Sequence, residues 1–162
     1  MSIKNEKSIK EDYVEELRGH IEHRATWFYF LIDEACKEGL DKEGFARRAV
    51  RRCGSFHGEN KLARTDSLKE FADSFLPENT RKIFEMDVDV NEKRLIVDFH
   101  YCPLVAAWKK LTKDEKAIDE MCDLAMEGDR GIISTYDKFE FDLQKTIASG
   151  DNHCRLVITK KE

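Results

Sequence analysis

The chain has 162 residues, of which 41% are hydrophobic and 38% charged, with a formal net charge of -5 at pH 7. This is the length of one domain with its own core, and the acidic balance argues against nucleic-acid binding, which needs clustered positive charge. The first residues are charged without an apolar run and no later stretch reaches the length of a membrane span, so we expect a cytoplasmic protein without a membrane partner.

The first part of the chain predicts a long helix behind a short tail. Residues 1–10 predict a flexible N-terminal tail, and residues 11–162 predict a single α+β domain. From 11 to 39 the apolar residues recur at helical spacing, and Gly39 is a suitable C-terminal stop. Aromatic residues fill positions 27–30, so we expect that stretch to pack on more than one side near the centre of the fold.

Two further helices follow in the N-terminal half. Asp41 is placed to cap the second helix, which we expect to end near Gly54 to Gly58. The third runs from about Ser67 to Phe75. Pro and Asn residues shortly afterwards interrupt the helical pattern.

The apolar spacing then changes from helical to alternating, which is typical of strands. Residues 84–90 form one such run, 91–93 a turn, and 95–101 the partner strand of an antiparallel hairpin. Two more strand-like runs lie at 139–143 and 154–158. We therefore expect N-terminal helices packed on an antiparallel sheet of about four strands, with two helices inserted between the halves of the sheet.

The two inserted helices have local start and stop signals. Pro103 suits the first turn of one helix, which places Cys102 at its N-cap. Thr112 and Glu115 have the spacing of a capping box for the next helix, and Gly128 is its expected end.

Cys102 is the first candidate for chemistry. At a helix N-terminus a thiol feels the positive end of the backbone dipole, which favours a lowered pKa and a nucleophilic thiolate. Strand alternation places Asp98 and His100 on the same side as Cys102, so His100 is a candidate proton acceptor. The alternative is a cysteine that fills a gap at the strand-to-helix junction, beside a half-exposed histidine.

Two other cysteines complete a candidate cluster. Cys122 and Cys154 occupy apolar positions of their helix and strand, so each alone indicates a core residue. Acidic neighbours follow or precede them, and thiolates with carboxylates are ligands for zinc. No CxxC pair or HExxH motif is present, so a zinc site depends on the three cysteines meeting in space. The neighbouring acids are Glu127, Asp129 and Asp151.

Basic residues in the first two helices give further candidates. Arg24 lies beside the aromatic stretch and could grip a substrate carboxylate, although an ordinary surface charge explains it equally well. A run of four arginines in the second helix indicates a solvated face or a site for an anionic partner. These are Arg47, Arg48, Arg51 and Arg52.

Three segments together resemble a known family. The run HYCPLV at 100–105, the run CDLAMEGD at 122–129 and the run KTIASGD at 145–151 with Cys154 are similar to the L-2-amino-thiazoline-4-carboxylic acid hydrolase family. The resemblance covers about residues 11–158. The closing pattern more distantly resembles the 4-vinyl reductase-like small-molecule-binding domains, in which cysteines can hold zinc.

The resemblance implies a hydrolase that opens a small cyclic amidine, L-2-amino-thiazoline-4-carboxylate or a related ring, to a carbamoyl-cysteine-type product. It implies a small-molecule substrate and no required cofactor, and the oligomeric state stays open. The alternative is a non-catalytic small-molecule- or zinc-binding domain, with any zinc on the three cysteines. The implied catalytic residues are Cys102, Cys122, Asp129 and Cys154, and the implied substrate-binding residues are Arg24, His100, Glu127 and Asp151.

Overall fold

The computed structural model describes residues 2–162 and confirms the α+β class. Within this span the chain forms four helices, then two strands, then two helices and then two more strands. None of these helices is both long and apolar enough to cross a membrane. The elements are α1 (Asp12–Lys37), α2 (Lys42–Asn60), α3 (Leu68–Phe75), α4 (Glu78–Phe84), β1 (Met86–Val90), β2 (Arg94–Phe99), α5 (Pro103–Leu111), α6 (Glu115–Ile133), β3 (Phe139–Lys145) and β4 (Cys154–Lys160).

The four strands form one antiparallel sheet in the order β1-β2-β4-β3. The predicted hairpin of β1 and β2 is confirmed, and its turn is closed by the side chain of Asn91, which accepts hydrogen bonds from the amides of Lys93 and Arg94. Helices α5 and α6 lie between the two halves of the sheet along the chain, as expected. Leu156 and Ile158 of β4 lie with α3 in one apolar cluster, which closes a face of the sheet.

Helix α1 is as long as predicted, and Gly39 follows its end with a φ of 86° that glycine adopts without strain. The expected packing of the aromatic stretch on more than one side is wrong. Phe28 and Tyr29 pack against the core, but Trp27 is 69% exposed and Phe30 is exposed too. The reason is that α1 packs mainly along α5, so only one side of the helix is covered. On that side the Trp108 indole N–H donates to the Ala25 carbonyl at 3.0 Å.

The predicted ends of α2 and α6 are wrong, because both helices continue through their glycines. These glycines mark close helix packing instead of helix ends. A Cβ on Gly54 would lie 2.0 Å from the carbonyl oxygen of Gly128, and one on Gly131 would lie 2.3 Å from that of Arg51. Only residues without a side chain let the two backbones approach so closely. His57, next to Gly58, consequently lies within α2.

The other helix starts follow local capping. Asp41 accepts hydrogen bonds from two amides of α2, and Ser67 from one of α3, as expected. The cap of α6 is Asp114, which accepts from the amides of Lys116 and Ala117, so the predicted Thr112 capping box is wrong. Thr112 instead accepts from the Asp114 amide.

The region after α3 also differs from expectation. The sequence pattern predicts a strand from 84, but α4 continues through Phe84 and the strand begins at Met86. Between them Glu85 turns the chain with φ 51° and ψ 61°, the left-handed conformation. Within residues 2–162 no other residue except glycine has a positive φ.

The first residues, for which the sequence predicts a flexible tail, contact the rest of the chain without forming a helix or strand. Ile3 is 2% exposed and belongs to the apolar cluster between the helices. Hydrogen bonds from Asn5, Ser8 and Ile9 tie the segment to Cys102 and Glu85. An apolar anchor and specific polar contacts therefore hold the segment.

Candidate functional site

The sheet register explains how the three cysteines come together. Phe99, the last residue of β2, pairs with Cys154, the first residue of β4, so Cys102 and Cys154 lie at the same end of neighbouring strands. Helix α6 brings Cys122 to the same apolar cluster, which also contains Trp108. All three cysteines are buried and free of disulfides. The strand pairing is a long-range feature that the sequence pattern alone does not give.

Burial dominates the acidity of the three thiols. Burial raises the pKa of Cys102 to about 11, although the amides of Val105 and Leu104 at the helix N-terminus act in the opposite direction. The expected lowering of this pKa is therefore wrong. Burial likewise raises the pKa of Cys154 to about 12 and that of Cys122, which the nearby Cys102 and Cys154 raise further. All three are neutral thiols at physiological pH.

His100 does not share a face with Cys102, contrary to the strand alternation. β2 ends at Phe99, so the alternation stops before position 102 and the chain turns Cys102 into the core. His100 is exposed and its Nε2 lies 2.8 Å from Asp87 Oδ2 across the hairpin. On the same outer side, Asp98 accepts two hydrogen bonds from Arg155. His100 thus contacts Asp87 on the surface of the hairpin and does not face the Cys102 thiol.

Glu127 is buried in a network of arginines. Its carboxylate accepts from Arg47 at 3.1 Å, from Arg51 at 3.2 Å and from Arg130 at 2.9 Å, and only 4% of the residue is exposed. Asp123 joins the network through Arg47 and Arg130. A carboxylate held by three guanidinium groups joins α2 to α6, and these groups take up most of its acceptor sites.

Asp129 has a different environment from Glu127. It lies on the same face of α6 as Cys122 and Ala125, seven and four residues earlier. The carboxylate is half-buried, and within residues 2–162 no hydrogen bond or ion pair reaches it. Loss of hydration raises the pKa of Asp129 to about 6, although Arg130 and Arg24 lower it. A carboxyl group with a pKa near neutral is suited to accept and return a proton.

Arg24 projects from α1 near this carboxylate. It is close enough to Asp129 to lower the pKa of that carboxyl group, and its own side chain is exposed. In the part of the chain that the structure describes, no hydrogen bond or ion pair engages its guanidinium group. Arg24 and Asp129 therefore place an available cation and an available carboxylate near each other between α1 and α6.

Asp151 and Cys154 organise the connection between β3 and β4. Asp151 accepts a hydrogen bond from the Thr146 amide at 3.1 Å, and the Ile147 amide lies 3.2 Å from Cys154 Sγ. The carboxylate of Asp151 thus closes the turn before β4. This turn fixes the position of Cys154 at the end of the strand.

The side-chain arrangement does not fit the zinc ligand set considered from the sequence. In residues 2–162 no group of three or more His, Cys, Asp or Glu side chains is arranged to hold a metal ion. Two surface clefts of about 440 Å³ each share Arg51. Neither includes the three cysteines or Asp129.

Sequence reasoning missed Arg18, which is 1% exposed. It donates to the carbonyl oxygens of Ile83 and Ile9, pairs with Glu85 at 2.9 Å, and stacks 4.4 Å over the Tyr101 ring beside Cys102. The signal was available, since position 18 falls in the apolar helical spacing of α1. A charged residue at a core position of an amphipathic helix indicates a buried ion pair.

Comparisons with known proteins give one likeness of fold and one family. The fold is similar to the crystal structure of a trafficking protein particle complex subunit 3 from Naegleria fowleri covalently bound to palmitic acid. The TM-score is 0.56 at 13% identity, and the match covers 87% of this chain and 95% of that one, so the likeness concerns the fold alone. No curated protein matches the chain. The family described as L-2-amino-thiazoline-4-carboxylic acid hydrolase matches residues 18–158, and the chain belongs to this family.

Proposed function

We propose that the protein hydrolyses a small cyclic amidine, L-2-amino-thiazoline-4-carboxylate or a closely related ring, at a site beside Asp129. The observation that carries the proposal is the Asp129 carboxyl group, half-buried, unpartnered within residues 2–162, and with a pKa raised to about 6 by loss of hydration. Membership of a family with this name supplies the substrate class. The nearby Arg24 supplies a cation for the substrate carboxylate.

The proposed reaction uses water as the nucleophile. Ionised Asp129 accepts a proton from water as its oxygen bonds to the ring carbon between nitrogen and sulfur. The second proton of the water moves from the new hydroxyl group to the ring nitrogen. The carbon–sulfur bond then breaks, the sulfur takes the proton held by Asp129, and the new oxygen becomes the urea carbonyl. The product is a carbamoyl-cysteine with one free thiol, so one water is consumed and no external oxidant or cofactor is needed.

The cysteines are proposed as the apolar wall of the site. With a pKa of about 11, Cys102 is a thiolate in roughly one molecule in ten thousand at pH 7, which leaves little nucleophile. Glu127 is proposed as structural, because three arginines already engage its carboxylate. Direct attack by Cys102 remains the competing route and is separated from the water route by experiment.

The test incubates the purified protein with L-2-amino-thiazoline-4-carboxylate and measures the thiol released. We expect turnover in the wild type and a loss of about a hundredfold or more in Asp129→Asn, because a general base contributes about that much. Asp142→Asn, an exposed aspartate on β3, is the matched control and should keep full activity. Equal thiol release by wild type and Asp129→Asn overturns the role of Asp129.

Cys102→Ser separates the two routes. The water route predicts turnover within about tenfold of wild type, whereas attack by the thiol predicts its complete loss in a folded variant. Binding of the ring without any turnover, measured by calorimetry, would favour the non-catalytic small-molecule-binding alternative.

A further inference from the structure

The cysteine cluster is closed in this structure. Cys102, Cys122 and Cys154 are each at most 9% exposed, and the two clefts of about 440 Å³ lie elsewhere on the surface. A ring of substrate size cannot pass between side chains packed this tightly, because interiors hold few voids larger than a water molecule. Some segment over the cluster must therefore move when a ligand enters.

The segment that covers the cluster is the N-terminal stretch of residues 3–9, here called the strap. The side-chain amide of Asn5 donates to the Cys102 carbonyl at 2.8 Å and accepts from the Cys102 amide at 2.9 Å. Ile3 lies in the same apolar cluster as the cysteines, and Lys109 and Glu115 hold its backbone. The strap thus contacts Cys102, the N-cap of α5, and joins α5 to α6 through Ile3.

The carboxylate of Glu85 makes most of the contacts at the other end of the strap, where Arg18 also donates to the Ile9 carbonyl and Lys7 pairs with Glu15. Glu85 accepts from the Ser8 amide at 2.8 Å, the Ser8 hydroxyl at 2.6 Å and the Ile9 amide at 2.8 Å, and Arg18 donates to it at 2.9 Å. Glu85 does this from the left-handed conformation, with φ 51°. Glycine adopts that conformation without strain, so the backbone alone gives no reason for a glutamate here.

We propose that residues 3–9 are a displaceable strap, latched by Glu85, whose release opens the cysteine cluster to small-molecule ligands. The strap has no helix or strand of its own, and its hold depends on a few side chains. Segments held in this way open locally at far lower free energy than the core. The proposal rests on the proposed function only in treating the cluster as a ligand site, and its test uses no substrate.

The test measures alkylation of each cysteine by N-ethylmaleimide in the native protein, followed by peptide mass spectrometry. Cys36 and Cys53 are exposed and serve as internal references for reagent reactivity. Two variants release the strap separately. Glu85→Gly removes the latch while keeping a residue that favours the left-handed backbone, and Asn5→Ala removes both hydrogen bonds to Cys102.

We expect the alkylation rate of Cys102, relative to Cys36, to rise about tenfold or more in each variant, since each loses at least two hydrogen bonds that oppose local opening. Trypsin cleavage after Lys7 should accelerate in parallel. Asn60→Ala is the matched control, because Asn60 makes one exposed side-chain bond to the Phe56 carbonyl far from the strap. In this control, Cys102 should be alkylated at the wild-type rate.

Two results overturn the proposal. One is an unchanged Cys102 rate in both variants. The other is a rise in the Cys102 rate no larger than the fall in each variant's free energy of unfolding accounts for, measured by urea denaturation, because that pattern reports global unfolding. If Glu85→Gly unfolds, Asn5→Ala decides alone. A rise in Cys102 alkylation together with no turnover of the thiazoline ring would support the strap proposal and overturn the hydrolase proposal.

Discussion

Gly54 of α2 and Gly128 of α6 meet backbone to backbone, so closely that a Cβ on Gly54 would lie 2.0 Å from the Gly128 carbonyl oxygen and 2.8 Å from its carbonyl carbon. The helix pair formed around this contact also carries the Glu127 network, and Asp129 follows Gly128 directly. The position of the proposed base therefore depends on how closely α2 and α6 approach.

Gly54→Ala should separate the two helices. The added methyl group meets backbone, which cannot turn aside as a side chain can, so we expect a loss of about 3 kcal/mol in the free energy of unfolding. Gly19→Ala in α1 is the control, because its Cβ would meet nothing within 4 Å. It should gain about 0.5–1 kcal/mol from helix propensity. Urea denaturation measures both, and equal stabilities of the two variants would contradict the close contact.

Glu127→Gln should destabilise the protein without changing its chemistry. Removing the charge leaves Arg47, Arg51 and Arg130 around a neutral amide, at an expected cost of about 3 kcal/mol in the free energy of unfolding. Glu43→Gln removes an exposed partner of Arg47 and should change stability by less than about 1 kcal/mol. Thiol release per folded molecule should stay at the wild-type value. A large drop would show that Glu127 takes part in substrate binding or catalysis.

Asp129 should give the stability a specific pH dependence. Its pKa is raised to about 6 in the folded protein against about 3.9 in an unfolded chain, so the folded state holds the proton more tightly. This contribution to stability is complete below about pH 4 and is lost as the pH rises to about 6. Wild type should therefore lose stability relative to Asp129→Asn across that window. Denaturation of both at pH 4, 5, 6 and 7 measures the difference, and a constant difference would contradict the raised pKa.

The same carboxyl group should set the acid limb of turnover. Asp129 acts as a base only when ionised, so kcat/KM for the thiazoline ring should rise with pH through a limb near pH 6 and then level off. If Cys102 were the nucleophile, the rate would continue to rise towards pH 11, where its thiol ionises. A pH–rate profile from pH 5 to 10 distinguishes the two.

Local signals in the sequence predict much of the fold. The end of α1 at Gly39, the hairpin turn at Asn91 and the caps Asp41 and Ser67 depend on residues within a few positions of one another. The ends of α2 and α6 were wrong because a glycine marks either a helix end or a close helix contact. Only the partner helix distinguishes the two, and a single sequence does not show it.

The candidate site was harder to predict for the same reason. The meeting of Cys102 and Cys154 depends on the pairing of Phe99 with Cys154, which joins segments more than fifty residues apart. The prediction that His100 and Cys102 share one face of a strand was wrong because the strand ends at Phe99. Asp129 and Glu127 look alike in sequence, and only their contacts separate an unpartnered carboxyl group from one held by three arginines.

The conformation of Glu85 has a consequence for sequence variation among relatives. Its backbone favours glycine or asparagine, while its side chain holds residues 8 and 9 and pairs with the buried Arg18. In a relative that lacks both such a segment and an arginine at the position of Arg18, selection for the carboxylate disappears and glycine becomes the preferred residue. The amino acids at these two positions together therefore report, in any newly sequenced member, whether an N-terminal segment is held to the domain in this way.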